Sequence, residues 1–142
     1  MTTSSVSPVT TELAGSETGI TLVIHAGAGS RGKHSTPERI AQVELDLQRA
    51  LDAGYQLLES GAPAHEAVVA AIHVMEDAPE FNAGRGAALT SDGIAQMDAC
   101  LMTGDGEVGA VTGVSTVKNP IDAARAVKAV SYTHLRAHET EL

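Results

Sequence analysis

The order of elements in this 142-residue sequence predicts a layered α/β sandwich rather than a doubly wound sheet. Three observations carry that expectation. A β-branched run, Ile20-Thr21-Leu22-Val23-Ile24, opens the ordered sequence as a buried strand. Two helical periods follow it. Three short strands then come in succession before a last helix, so the strict β-α alternation of a doubly wound sheet is broken.

Each element has its own signals. The first strand feeds His25-Ala26-Gly27-Ala28-Gly29-Ser30, where glycines open backbone conformations closed to other residues. Thr36 is placed to cap a helix, with Pro37 at its first position and Glu38 in its first turn. Ile40, Val43, Leu47, Leu51 and Leu58 mark its apolar face, with Arg39, Glu44, Asp46 and Gln48 largely elsewhere, and Gly61 is its stop. Pro63 starts a second, smaller-faced helix through Ala67, Val68, Ala71, Ile72 and Met75, which Pro79 ends. Ala87 to Thr90 and Ile94 to Met102 are predicted strands joined by a Ser91-Asp92-Gly93 turn. The turn Thr103-Gly104-Asp105-Gly106 leads to a third strand, Glu107 to Ser115. Asn119 is placed to cap the last helix, with Pro120 at its start and Asp122 in its first turn.

Composition narrows the function. Aromatic residues are 2% of the chain, with no Trp and one Phe, so the 43% that is apolar must build a core from Ala, Val, Ile and Leu. Such side chains remove little surface each, and the chain is expected to pack against further protein. The net charge of −9, with only nine scattered Lys and Arg, argues against nucleic acid and against an anionic membrane surface. No apolar run approaches the ~20 residues that span a bilayer. A single cysteine, Cys100, cannot form an internal disulfide and fits a reducing, cytoplasmic setting. Residues 1–19, rich in Ser and Thr without a basic start or apolar run, are expected to be a disordered leader, followed by one partial domain over 20–130. From Ser131 to Leu142 the helical face is abandoned; this tail resembles a peptide produced by translating sequencing-adaptor DNA and is expected to be non-native.

Three stretches stand in register: Val23-Ile24-His25-Ala26-Gly27-Ala28-Gly29, then Met75 to Gly86 (MEDAPEFNAGRG), then Met97-Asp98-Ala99-Cys100-Leu101-Met102. Gly109-Ala110-Val111-Thr112-Gly113-Val114 with Lys118-Asn119-Pro120 extends them. Together they resemble the α-subunit half of the isoaspartyl peptidase/plant-type asparaginase family of N-terminal-nucleophile hydrolases, over Ile20 to about Ala129. The resemblance implies an αββα sandwich of which only the N-terminal half is present. It also implies a precursor that cuts itself to liberate an N-terminal Thr nucleophile. A free α-amino group, with a reference pKa of about 7.7–8.0, supplies the base that a threonine hydroxyl needs. The implied reaction is hydrolysis of β-aspartyl dipeptides and L-asparagine in a complete (αβ)₂ protein.

No catalytic residue is expected within this chain; the nucleophile falls downstream, in the β-subunit part that is the chain's expected partner. Glu107-Val108-Gly109-Ala110-Val111 echoes the family's Thr-Val-Gly-Ala-Val cleavage site, but a carboxylate cannot act as the N-terminal threonine. The resemblance implies a structural sodium ion held by the main-chain carbonyls of Met75, Glu76, Ala78, Phe81, Ala83 and Arg85, and no organic cofactor. A glycine-rich turn without an ion is the alternative. It further places Asn82 and the loop at Gly27 beside the active centre. Asn82 equally suits a turn beside Gly84. His25 is expected to be structural, and the loop after it lacks the Lys and Ser/Thr of a phosphate-binding loop. Asp98 and Cys100 share a strand face without a His pattern, and Asp98 is expected to satisfy buried backbone or a neighbouring loop. His65 and His73 are expected at the surface. Two other readings remain: a non-catalytic binding or pseudo-enzyme module, and a fragment of a related glycosylasparaginase or threonine aspartase.

Overall fold

The computed structural model describes residues 19–26 and 36–130. Residues 1–18 of the expected leader, the loop from Gly27 to residue 35, and the tail from Ser131 lie outside the described residues. Helix α1 (Pro37–Glu59) and helix α2 (Ala64–Asp77) form an antiparallel hairpin. Strands β1 (Met97–Met102) and β2 (Val108–Val114) pair antiparallel, and helix α3 (Pro120–Ala129) packs on both strands. The architecture among the described residues is mixed α/β, with helices on one face of a two-stranded ribbon.

The helix ends follow the sequence closely. Thr36 Oγ1 accepts the Arg39 amide at 3.3 Å, satisfying one of the N-terminal donors that no helical carbonyl can reach. At the other end Gly61, at φ 83°, takes the left-handed conformation. The Ala62 amide then bonds back to Leu57 O at 2.9 Å and the Gly61 amide to Leu58 O at 3.0 Å, the paired bonds of a Schellman stop.

The faces differ from expectation. Asp46, Ala50, Leu51 and Gly54 are the buried residues of α1, whereas Ile40 is exposed. Of the apolar period only Leu51 is buried; the crossing takes in the adjacent small residues Ala50 and Gly54, and Asp46, instead. A Cβ at Gly54 would lie 2.6 Å from Leu22 Cδ2 and 2.8 Å from the Ala67 carbonyl oxygen, so α2 and the 20–24 segment both press into this notch. Asp46 is tolerated there because Gln42 Nε2 donates to it at 2.9 Å and Arg49 pairs with it at 3.2 Å. On α2 the buried residues are Ala67, Val69, Ala71 and Glu76, and Val68 of the expected face is exposed.

Two expected strands are corrected. Ile20 to Ile24 is not in a ladder among the described residues, although Leu22 and Ile24 are partly covered and Val23 is 83% exposed. An extended run needs a neighbour to become a strand, and none of the described residues pairs with it. The hairpin across Ser91-Asp92-Gly93 turns as expected, with the Thr90 amide bonded to Ile94 O at 2.9 Å, but its pairing shrinks to one bridge, Leu89 with Ala95. Leu89 and Ile94 remain exposed, so little burial sustains a longer ladder there. The turn at residues 103–106 and the strand after it form as expected.

The core gathers Val69 of α2, Leu101 of β1, and Ile121 and Ala124 of α3, with Ile72, Ala99 and Val111 packed around them. Every element except α1 contributes, so α2 belongs both to the helical hairpin and to the sheet layer.

Gly54→Ala tests the tight helix crossing. Alanine gains about 0.8–1 kcal/mol of helix propensity, but overpacking against a backbone carbonyl costs about 1–3 kcal/mol. A net loss of roughly 1 kcal/mol, a fall of about 2–4 °C in Tm, is expected in a thermal melt.

Candidate functional site

The site is built where α2 stops. Pro79 forces Ala78 out of the helix into extended backbone, at φ −87° and ψ 127°. The chain then folds over itself into a 3₁₀ turn at Gly84–Gly86, with Phe81 buried beneath it. Gly84 sits at φ 49°, and a Cβ there would overlap the Glu76 carbonyl oxygen and lie 2.7 Å from Glu76 Cβ. A Cβ at Gly86 would overlap the Phe81 carbonyl oxygen and lie 2.6 Å from that of Pro79. Both glycines are required by this close approach of main chain to main chain.

That fold-back exposes Asn82 beside a cavity of about 270 Å³, lined by Glu76, Asn82, Gly84, Gln96, Asp98 and Pro120 among others. The Ala88 amide donates to Asn82 Oδ1 at 2.8 Å. An amide N–H needs an acceptor, so this bond fixes the orientation of the side chain and uses one of the two lone pairs of its oxygen. The Nδ2 group is the end left for a ligand.

Glu76 is 4% exposed and reaches α3 from the end of α2. Its Oε1 accepts the Ile121 amide at 3.1 Å, while Oε2 is buried without a hydrogen-bond partner among the described residues. Burial pushes the carboxyl up from its ordinary value, against the downward pull of the bond from the Ile121 amide. Asn119 does occupy the N-cap position of α3, but its side chain makes no capping bond there and instead donates to Asp77 at 3.3 Å. The cap therefore comes from another helix. Sequence reasoning missed this, although Glu76 falls on the helical face of Val69 and Ile72. Alongside it, Lys118 pairs with Asp77 and His73 Nε2 lies 2.9 Å from Asp122. His73 is thus a link between α2 and α3 as well as a surface residue, while His65 approaches Glu66 at 3.4 Å.

On the opposite wall the ribbon carries a bulge. Met97 pairs with Val114 and Ala99 with Val111, so Thr112 and Gly113 together face Asp98. Asp98 Oδ1 accepts the Gly113 amide at 2.7 Å and the Thr112 hydroxyl at 2.8 Å. Those bonds hold its carboxyl below the usual range, the Gly113 amide contributing most. This is the backbone-satisfying role that its strand position suggested. Cys100 is exposed, Glu107 pairs with Lys128 at 2.8 Å, and His25 is exposed. Gly27 lies outside the described residues.

All six carbonyl donors expected for a sodium ion are described. The donor chemistry fits: main-chain oxygens suit a hard cation, and the fold-back of the loop turns the Glu76 and Phe81 carbonyls onto Gly84 and Gly86. The Ala83 carbonyl already accepts the Gly86 amide at 3.0 Å, which leaves it one lone pair. Among the described residues no three His, Cys, Asp or Glu side chains gather to hold a metal ion.

The family model described as "Asparaginase" matches residues 18–139, which includes most of the segment from 131 onward. This chain belongs to the asparaginase family. It is 46% identical over 109 residues to a plant-type L-asparaginase of Pyrococcus abyssi, covering 76% of this chain and 34% of the relative. It is 40% identical over 109 residues to the isoaspartyl peptidase of Escherichia coli, covering 75% of this chain and 34% of that protein. The isoaspartyl peptidase/L-asparaginase of Bos taurus is 41% identical over 107 residues, covering 75% and 34% respectively. The asparaginase-family chain therefore spans about a third of the length of the curated relatives it matches. Among its described residues no helix is long and apolar enough to cross a membrane.

The Asp98 bonds predict a pH effect on stability. A depressed carboxyl contributes stability that is present above its unfolded pKa, near 3.8, and is lost as pH falls through the lower folded value. Asp98→Asn should flatten that part of the acid limb in melts taken between about pH 2 and 5. An unchanged acid limb would show that the bulge does not bind the carboxylate.

Proposed function

We propose that this chain is the N-terminal portion of an amidohydrolase that cleaves β-aspartyl dipeptides and L-asparagine. Its nucleophile is an autocatalytically liberated N-terminal threonine outside the sequence in hand. The single observation carrying this reading is the in-register identity of 40–46% to plant-type asparaginases and isoaspartyl peptidases, over one aligned third of their length. The cavity agrees with it chemically. Asn82 supplies an oriented amide donor, suited to hold a nucleophile or a developing oxyanion. No described residue supplies the combined nucleophile and α-amino base.

On the same reading the mature protein is a four-layer αββα sandwich assembled as (αβ)₂ in the cytoplasm. The ribbon described above belongs to one of its sheets. A sodium ion sits in the Met75–Arg85 loop on the main-chain oxygens of Met75, Glu76, Ala78, Phe81, Ala83 and Arg85, fixing the loop that carries Asn82. The ion supplies charge to order carbonyl dipoles; it takes no part in bond cleavage.

The test compares two polypeptides. The purified 142-residue chain should release no aspartate from β-aspartyl dipeptides above a buffer control. The product of a reading frame continued past the codon for Ala129 should cut itself and then turn over. In that longer product Asn82→Ala should lower kcat by about 10²–10³-fold, the usual loss for one oxyanion donor. Turnover by the short chain itself would overturn the proposal.

A further inference from the structure

We propose that Glu76 is a positioning residue that sets both walls of the Asn82 cavity at once. Its two ends do different work. The carboxylate crosses from α2 and holds the first turn of α3 through the Ile121 amide, at a site where Pro120 and Ile121 are both buried. The main chain of the same residue lies against Gly84, closely enough that any Cβ would overlap the Glu76 carbonyl oxygen. Gly84 in turn follows Asn82 by two residues in the turn that aims its amide. One residue thus touches the α3 wall with its side chain and the Asn82 wall with its backbone, and it lines the cavity between them.

The α3 end of this bridge has no local substitute. Asn119 makes no capping bond, its amide being directed to Asp77, so loss of the Glu76 acceptor leaves a buried Ile121 amide unsatisfied. The other polar links between α2 and the start of α3, His73 with Asp122, Lys118 with Asp77 and Asn119 with Asp77, join partly or largely exposed side chains and restrain less. A shift of α3 is therefore passed to Glu76 through this bond, as well as to Val69 through the apolar core. Because Gly84 has no clearance from Glu76, the Asn82 turn must follow.

The inference rests on the reading of the Asn82 cavity as the reactive end, but its test needs no turnover. Amide hydrogen exchange by NMR on the full 142-residue chain follows three reporters. These are Ile121 for the α3 wall, Ala88 (the donor to Asn82) for the other, and Leu51 in α1 as reference. Glu76→Ala should speed exchange about tenfold or more at Ile121, the loss of one hydrogen bond to a charged group, and several-fold at Ala88. Leu51 should be little changed. Glu76→Gln, which keeps an acceptor, should restore both walls. Gly84→Ala should reciprocally loosen Ile121, since coupling acts in both directions. If Glu76→Ala unfolds the whole chain, Glu76→Met carries the same comparison with the apolar stem retained. A cap of purely local effect would loosen Ile121 and leave Ala88 unchanged. That result would overturn the proposal. So would an equal loss in Glu76→Gln, or a wild-type chain without protection at Ile121. Failure of the catalytic reading shows only in the aspartate assay, so the two remain separable.

Discussion

A buried hydrogen bond between Glu76 and the Ile121 amide joins the helical hairpin to the ribbon-and-helix layer. The helical hairpin of α1 and α2 closes on small side chains, whereas the core around Leu101 closes on aliphatic ones. Apolar contact alone holds such layers without much directional preference, because burial is proportional to area and indifferent to rotation. A carboxylate aimed at a helix N-terminus supplies the missing direction. It reaches one amide at one turn, in the place where the helix dipole favours negative charge. The desolvation of Glu76 is the cost of that precision, offset by its bond from the Ile121 amide.

The aromatic-poor composition has a geometric consequence that runs through the whole chain. Small side chains bury enough surface only when backbones approach closely, and here they do so at Gly54 and at Gly84. The first brings α1 against α2 and Leu22. The second brings the Asn82 turn against the end of α2. Close approach also turns main-chain carbonyls into packing surface and prospective ligands, which is why a loop of unremarkable side chains can present oxygen donors.

What was legible in the sequence was local. Thr36, Pro37, Gly61, Pro63 and Pro79 punctuate the helices because capping and backbone sterics act within a few residues. The turns at Gly93 and Gly106 were legible for the same reason. Pairing was not. Ile20 to Ile24 has the composition of a strand, yet a ladder depends on a neighbour that no window of sequence specifies. The buried face of α1 was misread because hydrophobic period ranks side chains by size, while the crossing required small ones. Asn82 was singled out from motif register, but the Ala88 bond that orients its side chain spans six residues of irregular chain. Glu76 was named only for its carbonyl. Its side chain acts across a sequence separation of 45, beyond any local signal.

The two faces of the ribbon carry the last step. Leu101 and Gly109 are buried beneath α3, while their neighbours Met102 and Val108 are 65% and 50% exposed. An antiparallel ribbon with one covered face is ordinary, but the uncovered face is then expected to be polar. This one alternates the other way at its open end, with apolar residues outward. Two strands are also fewer than the three or so that independent stability needs without strong packing support. The ribbon is held on its helical side, by the core and by the Glu76 cap that fixes α3 over it. Among the described residues the geometry of the Asn82 cavity thus rests on packing from that side, with Asp98 and its bulge stiffening the ribbon from within the site.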